Sequence, residues 1–205
     1  MAEAHEEVPR VVIYELISNA LQHPNADLMM TTSRAIGIEG KDGRSSKTRQ
    51  FTICIWDDGE PIAETLKKAV TSGRAIRSQV VSERDTFKIR ANHWTPSSPE
   101  MTSHSTPGPD AEPEEFLISS LFSGISRRAS DYPMDEQVGT GLSALYRSVI
   151  DTLGGTLAIR SGLDFVNLKM DPRSTSTNRR YQIKAERIGT RPFMGNLMIV
   201  RMPFR

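Results

Sequence analysis

The stretch Phe51-Thr-Ile-Cys-Ile-Trp-Asp57-Asp58-Gly59-Glu60-Pro61-Ile62 decides the fold. Its first six residues are β-branched or aromatic and almost wholly apolar, which predicts a central strand covered on both faces. Asp-Asp-Gly stops the run. Apolar residues then recur at Ile62, Leu66, Ala69 and Val70, a helical period, with Gly73 placed to cap the helix end. A carboxylate at the carboxyl end of a central strand, with glycine close behind, suits acceptance of a hydrogen bond from an exocyclic amine in a pocket that the backbone closely approaches. The same residues also fit a plain Asp-Gly turn.

Upstream, Val11 to Leu21 reads as a helix bounded by Pro9 and Pro24, with Val12, Ile13, Leu16, Ile17, Ala20 and Leu21 as its apolar face. Asp27 to Glu39 reads as extended. Lys41 to Lys47 is a polar Asp-Gly turn. Downstream, the Pro/Ser/Thr/acid-rich segment at about 84–115 has no periodicity and is expected to be a flexible insertion, too poor in apolar residues to repay its ordering entropy. Phe116 to Phe122 reads as helix. Leu142, Leu145, Tyr146, Val149, Ile150 and Leu153 mark a second strong helix, stopped by Gly154-Gly155. Strands are expected at Thr156–Arg160, Phe165–Met170, Tyr181–Arg187 and Leu197–Met202, the first two joined through Ser161-Gly162. Helices interleaved with strands, ending in consecutive strands, predict an α+β two-layer sandwich: a mixed, mostly antiparallel sheet with helices on one face.

Composition narrows the classes. At 205 residues, 37% hydrophobic and 25% charged, the chain supports a single domain, 1–205. No apolar run approaches the roughly 18 residues of a membrane span, and the acidic start lacks the apolar core of a signal peptide. One cysteine, Cys54, excludes an internal disulfide framework and fits a reducing compartment, so the expected location is cytoplasmic, with no membrane partner. The histidines and Cys54 have no zinc spacing, and neither a P-loop nor a Gly-x-Ser-x-Gly elbow is present. Net charge is +1, yet Arg160 to Arg205 holds ten Lys/Arg against three Asp/Glu. That basic end could meet nucleic acid or another polyanion, or form a solvated strand face; no aromatic residues interleave with it in sequence as a stacking pattern would require.

Three segments can carry chemistry. Glu15 and Asn19, four apart on the first helix, leave one face with His23 a turn on. A carboxylate beside a carboxamide suits a hydrated magnesium ion and a water to be activated; an ordinary exposed helix face has the same pattern. Asp57 to Ile62 is the second. In the third, Gln137-Val-Gly139-Thr140-Gly141-Leu142, glycines open a helix and offer backbone N–H groups to phosphate.

In this order and with these separations, the three segments resemble the ATP-binding domain of the GHKL superfamily (Bergerat fold), shared by gyrase-type topoisomerases, ninety-kilodalton heat-shock chaperones, sensor histidine kinases and mismatch-repair ATPases. They correspond to its N-box, its Asp-x-Gly-x-Gly box and its final glycine box. Gly139-Thr-Gly-Leu-Ser-Ala-Leu-Tyr, Leu153-Gly-Gly-Thr-Leu and Gly195-Asn-Leu-Met-Ile-Val-Arg-Met-Pro follow the cadence of a histidine-kinase catalytic domain.

The resemblance implies ATP and Mg2+ as cofactors. Asn19 would coordinate the metal, Asp57 would bind the adenine amine, and Gly59 would let the base approach. Gly139, Thr140, Gly141 and Leu142 would line the phosphates, with residues 123–138 as the ATP lid. Glu15 occupies the place of the general base. The sequence departs from the family at Pro61, where glycine is usual, at Asn196, where many relatives have threonine, and in its single Gly-x-Gly. His5 sits too close to the first helix for a dimerisation hairpin, which sets the chain apart from a complete histidine kinase. Three activities fit: slow magnesium-dependent ATP hydrolysis controlling a protein partner or co-encoded effector chain; nucleotide-dependent binding without turnover; and a protein kinase acting in trans, like the anti-sigma-factor kinases. A homodimer is left open.

Overall fold

The computed structural model describes residues 12–18, 29–39, 45–73, 85–91, 99–102, 107–122 and 141–204. They form an α+β fold with a mixed eight-stranded sheet and four helices. The strands are β1 (Met29–Glu39), β2 (Ser45–Asp57), β3 (Thr86–Ala91), β4 (Glu100–Thr102), β5 (Thr156–Ser161), β6 (Asp164–Met170), β7 (Arg180–Arg187) and β8 (Asn196–Phe204). The helices are α1 (12–18), α2 (Ile62–Thr71), α3 (Pro113–Ser119) and α4 (Gly141–Tyr146), the last continuing as a π-helical segment, Arg147–Thr152.

Sheet order is β1-β2-β8-β5-β6-β7-β3-β4. Every pairing is antiparallel except β3 with β7. The apolar run at Phe51 therefore lies inside the sheet, bonded to β1 on one side and to β8 on the other. Its faces differ more than the sequence suggests. Ile53, Ile55 and Asp57 are buried, whereas Thr52, Cys54 and Trp56 are only half-buried. The buried rows of β8 (Met198, Val200, Met202), β5 (Leu157, Ile159), β6 (Val166, Leu168) and β7 (Tyr181, Ile183, Ala185) join the same core as Ile53 and Ile55. Val12 and Leu16 of α1, Ile62, Ala63 and Leu66 of α2, Phe116 to Ile118 of α3, and Leu145 and Tyr146 of α4 complete that core. Ile13, expected on the apolar face of α1, is 41% exposed instead.

Helix α2 ends as its glycine predicts: Gly73 sits at φ 69° and its N–H donates to the Val70 carbonyl at 3.1 Å. The second strong helix forms but does not stay α-helical. From Arg147 it widens to π register, and the Leu153 N–H reaches back five residues to the Ser148 carbonyl. Val149 and Ile150 remain buried through this segment.

The segment at about 84–115, expected to pack against nothing, requires correction. Thr86–Ala91 pairs with β7, and Glu100–Thr102 pairs with β3. Phe87, Ile89 and Met101 are core residues, and α3 begins at Pro113. Three well-placed apolar side chains, each opposite an existing strand, suffice to hold short strands that a mean composition hides. Residues 92–98 and 103–106 lie outside the described residues.

Candidate functional site

Asp57 ends β2 and is wholly buried, on the same face as Ile53 and Ile55. Its Oδ1 accepts the Gly59 N–H at 3.0 Å, which folds the Asp-Asp-Gly turn back on its own carboxylate. The same oxygen accepts a second bond, at 2.9 Å, from Nδ2 of Asn196, the cross-strand partner of Asp57 on β8.

Asn196 is also wholly buried, and both ends of its amide are engaged. Nδ2 donates to Asp57 Oδ1 and, at 3.0 Å, to the Glu60 carbonyl. Oδ1 accepts the Ile62 N–H at 3.0 Å and the Ser161 hydroxyl at 2.6 Å. Two donors and two lone pairs are the whole capacity of a carboxamide. Asn196 therefore acts as a cross-link between the end of β2, the start of α2 and the end of β5. Ser161, which sequence reasoning treated only as a turn residue, lies opposite Asn196 on β5 and shares the Ile62 N–H at 2.6 Å.

Two further residues shape this corner. Gly195 has φ 80°, and a Cβ there would stand 1.7 Å from the Asp57 carbonyl oxygen. The chain entering β8 thus lies directly on the turn after Asp57, a closeness only glycine permits. Pro61 occupies the N-cap of α2, and its carbonyl accepts both the N–H and the hydroxyl of Thr65 at 3.0 Å. Its fixed φ suits the entry to a helix that begins at once.

Glu15 lies on α1 beside the buried Val12 and Leu16 and is half-buried; burial pushes its carboxyl above the ordinary glutamate range. Gly141 is the first residue of α4. The Leu142 side chain packs against the core, so any contribution to a ligand comes from its backbone. Asn19, Gly139, Thr140 and residues 123–138 lie outside the described residues. Among the described residues, no cluster of three His, Cys, Asp or Glu could hold a metal ion, and no helix is long and apolar enough to cross a membrane.

A second buried polar group escaped the sequence reading because its members are far apart in the chain. The Tyr146 hydroxyl and Arg147 Nη2 both donate to Asp85 Oδ2, the latter at 2.9 Å, and Asp85 is buried. The Tyr181 hydroxyl donates to both oxygens of Asp151, at 3.0 and 2.9 Å. Burial, reinforced by the neighbouring carboxylates, drives both tyrosines well above the usual phenol range, so their hydroxyls stay protonated as donors. Phe87 stacks on Tyr181 with centroids 5.1 Å apart, and its ring lies edge-on to Tyr146 at 5.8 Å. This cluster ties β3 and β7 to the π-helical segment. Along β7 it is six residues, about 20 Å, from the end that lines up with Asp57 through Asn196, Ser161 and Asp164. It buttresses the far end of the sheet.

Comparison of the chain with protein-family models, with curated proteins and with solved structures found no match.

Proposed function

We propose that the chain is an ATP-binding domain of GHKL type, in which Asp57 receives the adenine amine and Glu15 activates water for slow magnesium-dependent hydrolysis. The observation that carries this reading is the clamped carboxylate of Asp57. A buried acid at the end of a central strand, fixed by a glycine N–H and a saturated carboxamide, is a rigid acceptor for an exocyclic amine. The close passage of Gly195 over the same turn supports a pocket whose wall is backbone. A shared core between the Asp57 face of the sheet and side chains from α1 to α4 supports a single layer of helices on that face.

The remaining roles rest on the sequence motifs: magnesium on Asn19, phosphates on the backbone from Gly139 to Leu142, and 123–138 as a lid. Glu15 fits its part chemically. Burial raises its pKa, and a carboxylate with a raised pKa is a stronger base than an exposed glutamate. Hydrolysis would then set the lid state seen by a protein partner.

A thermal melt with ATP, ADP and GTP, each with and without magnesium, tests the reading. Ligand at a hundred times its Kd raises stability by about 2.7 kcal/mol, a rise of roughly 5–11 °C for a domain this size. The expected order places ATP and ADP with magnesium well above GTP, whose ring carries a carbonyl where adenine has the amine. Equal shifts for ATP and GTP, or no shift with any nucleotide, contradict it.

A further inference from the structure

The geometry points to a binding surface for single-stranded nucleic acid on the face of the sheet opposite the Asp57 row, and this inference does not depend on the ATP reading. Strand register brings to one face cations that are scattered in sequence. Arg34 stands opposite Thr52 on β2, which stands opposite Arg201 on β8. Arg160 faces Leu197, itself opposite Trp56. Lys169 faces Gln182, which faces Lys88; Arg90 joins the same face through Lys184. Arg34, Arg90 and Lys169 are exposed; Lys88, Arg160 and Arg201 are half-exposed. None of these six forms an ion pair among the described residues, whereas Lys184 on the same face is paired with Glu186. Among the described residues these cations outnumber the strand acids that share the face, Glu100 opposite Lys88 and Glu186 opposite Phe165, and a polyanion relieves the repulsion that remains.

Aromatic rings separate nucleic acid from other polyanions. Trp56 and Phe165 lie on this face, both half-buried, with Leu197 and Arg160 between them in the same cross-strand row. Phe193 from the β7–β8 connection folds over the row: its ring meets Trp56 edge-on at 6.4 Å, and the Arg160 guanidinium lies over it at 4.7 Å. Among the described residues, Arg160 Nε is buried without a hydrogen-bond partner. A guanidinium lying over an aromatic ring suits contact with a phosphate or a base edge. Sheet faces with stacking aromatics among cations recognise unpaired bases, which a duplex does not offer. The basic end of the chain carries Phe165 and Phe193 itself, and the fold adds Trp56 from β2 to the same row.

The experiment follows the anisotropy of a labelled oligothymidylate with the full chain between about 50 and 200 mM salt. Six phosphate contacts on a single strand give a log–log salt slope of about −4, and Arg34→Ala/Arg90→Ala/Arg201→Ala makes it shallower by about 2. Trp56→Ala weakens binding roughly 5- to 100-fold with the slope unchanged, and Trp56→Phe restores most of the loss. Phe165→Ala, away from the Trp56 contacts, shows the same loss without change of slope. A melting transition is measured for each variant. Absence of binding at low salt, duplex DNA bound as tightly as the single strand, or displacement by polyglutamate as effective as by unlabelled oligothymidylate would each overturn the proposal. So would a slope that the triple variant leaves unchanged, or affinity indifferent to both aromatic substitutions.

Discussion

Asn196 Nδ2 donates to Asp57 Oδ1 at 2.9 Å, and both side chains are wholly buried, opposite one another on adjacent strands. The bond places the carboxamide behind the acid, where it orients the carboxylate.

Replacing Asn196 by alanine removes a partner from several groups at once: the Glu60 carbonyl, the Ser161 hydroxyl as donor and the Asp57 carboxylate each lose a bond, while the Ile62 N–H keeps the one to Ser161 Oγ. Two or more unsatisfied groups cost about 3 kcal/mol, which is roughly 6–12 °C of melting temperature for a domain this size. Asn196→Ala is expected to melt lower by that margin. A change within about 1 °C would show the cross-link to be dispensable.

Gly195→Ala is a sharper steric test. The new Cβ would stand 1.7 Å from the Asp57 carbonyl oxygen at a φ of 80°, so the turn must move or the strand must unpair. The expected loss exceeds about 3 kcal/mol. Gly154→Ala serves as the control: its φ is 66° but nothing lies within 4 Å of the added atom. It should cost only about 1 kcal/mol, by backbone strain alone. Comparable melting temperatures for the two variants would remove close approach as the reason for glycine at 195.

Glu15→Gln keeps the shape of the side chain and removes its basicity. Phosphate release is expected to fall about 100- to 10,000-fold, with nucleotide binding retained. Burial raises the Glu15 pKa, and only the carboxylate can act as a base, so the wild-type rate falls as pH drops through that raised value. The acid limb of the rate profile should therefore lie above the ordinary glutamate range. A limb at or below that range, or turnover unchanged in the variant, assigns the water-activating role elsewhere.

Asp171 gives a stability prediction with the opposite sign of shift. The Arg173 guanidinium and backbone N–H bond its carboxylate at 2.8 to 3.2 Å and, with Gln182, hold its pKa well below the usual aspartate range. Its stabilising contribution is present above the unfolded-state value, near pH 4, and is lost as pH falls toward the depressed folded value. Denaturant titrations should show wild type losing its margin over Asp171→Asn steadily below about pH 4. Parallel curves would show that the pair does not couple to folding.

The fold was largely legible because strong periodicity marks elements that bury one face. α2, the run from β5 to β8 and the glycine caps form where pattern and turn chemistry place them, whereas β2 extends back from the expected Phe51 to Ser45, into the stretch read as a polar turn. β3 and β4 were not legible: their core contacts are Phe87, Ile89 and Met101, too few to stand out in a Pro/Ser-rich stretch. Helix periodicity read Leu142 to Leu153 correctly as helical but carried no sign of the π register, whose neighbours Asp85, just before β3, and Tyr181 of β7 are distant in the chain. At the candidate site, Asp57 and Gly59 were legible from the strand–turn–helix pattern. The four bonds of Asn196 and the part played by Ser161 were not, because cross-strand neighbours depend on register. The same dependence explains why cations and aromatics on the opposite face look unrelated in sequence.

Calorimetric titration of ATP with magnesium into wild type and Asp57→Ala tests the central claim most directly, with a melt of each protein alongside. The account predicts one saturable site per chain in wild type and loss of that heat in an Asp57→Ala protein that still melts cooperatively. Saturable binding of equal strength in the two proteins, or none in wild type, would contradict it.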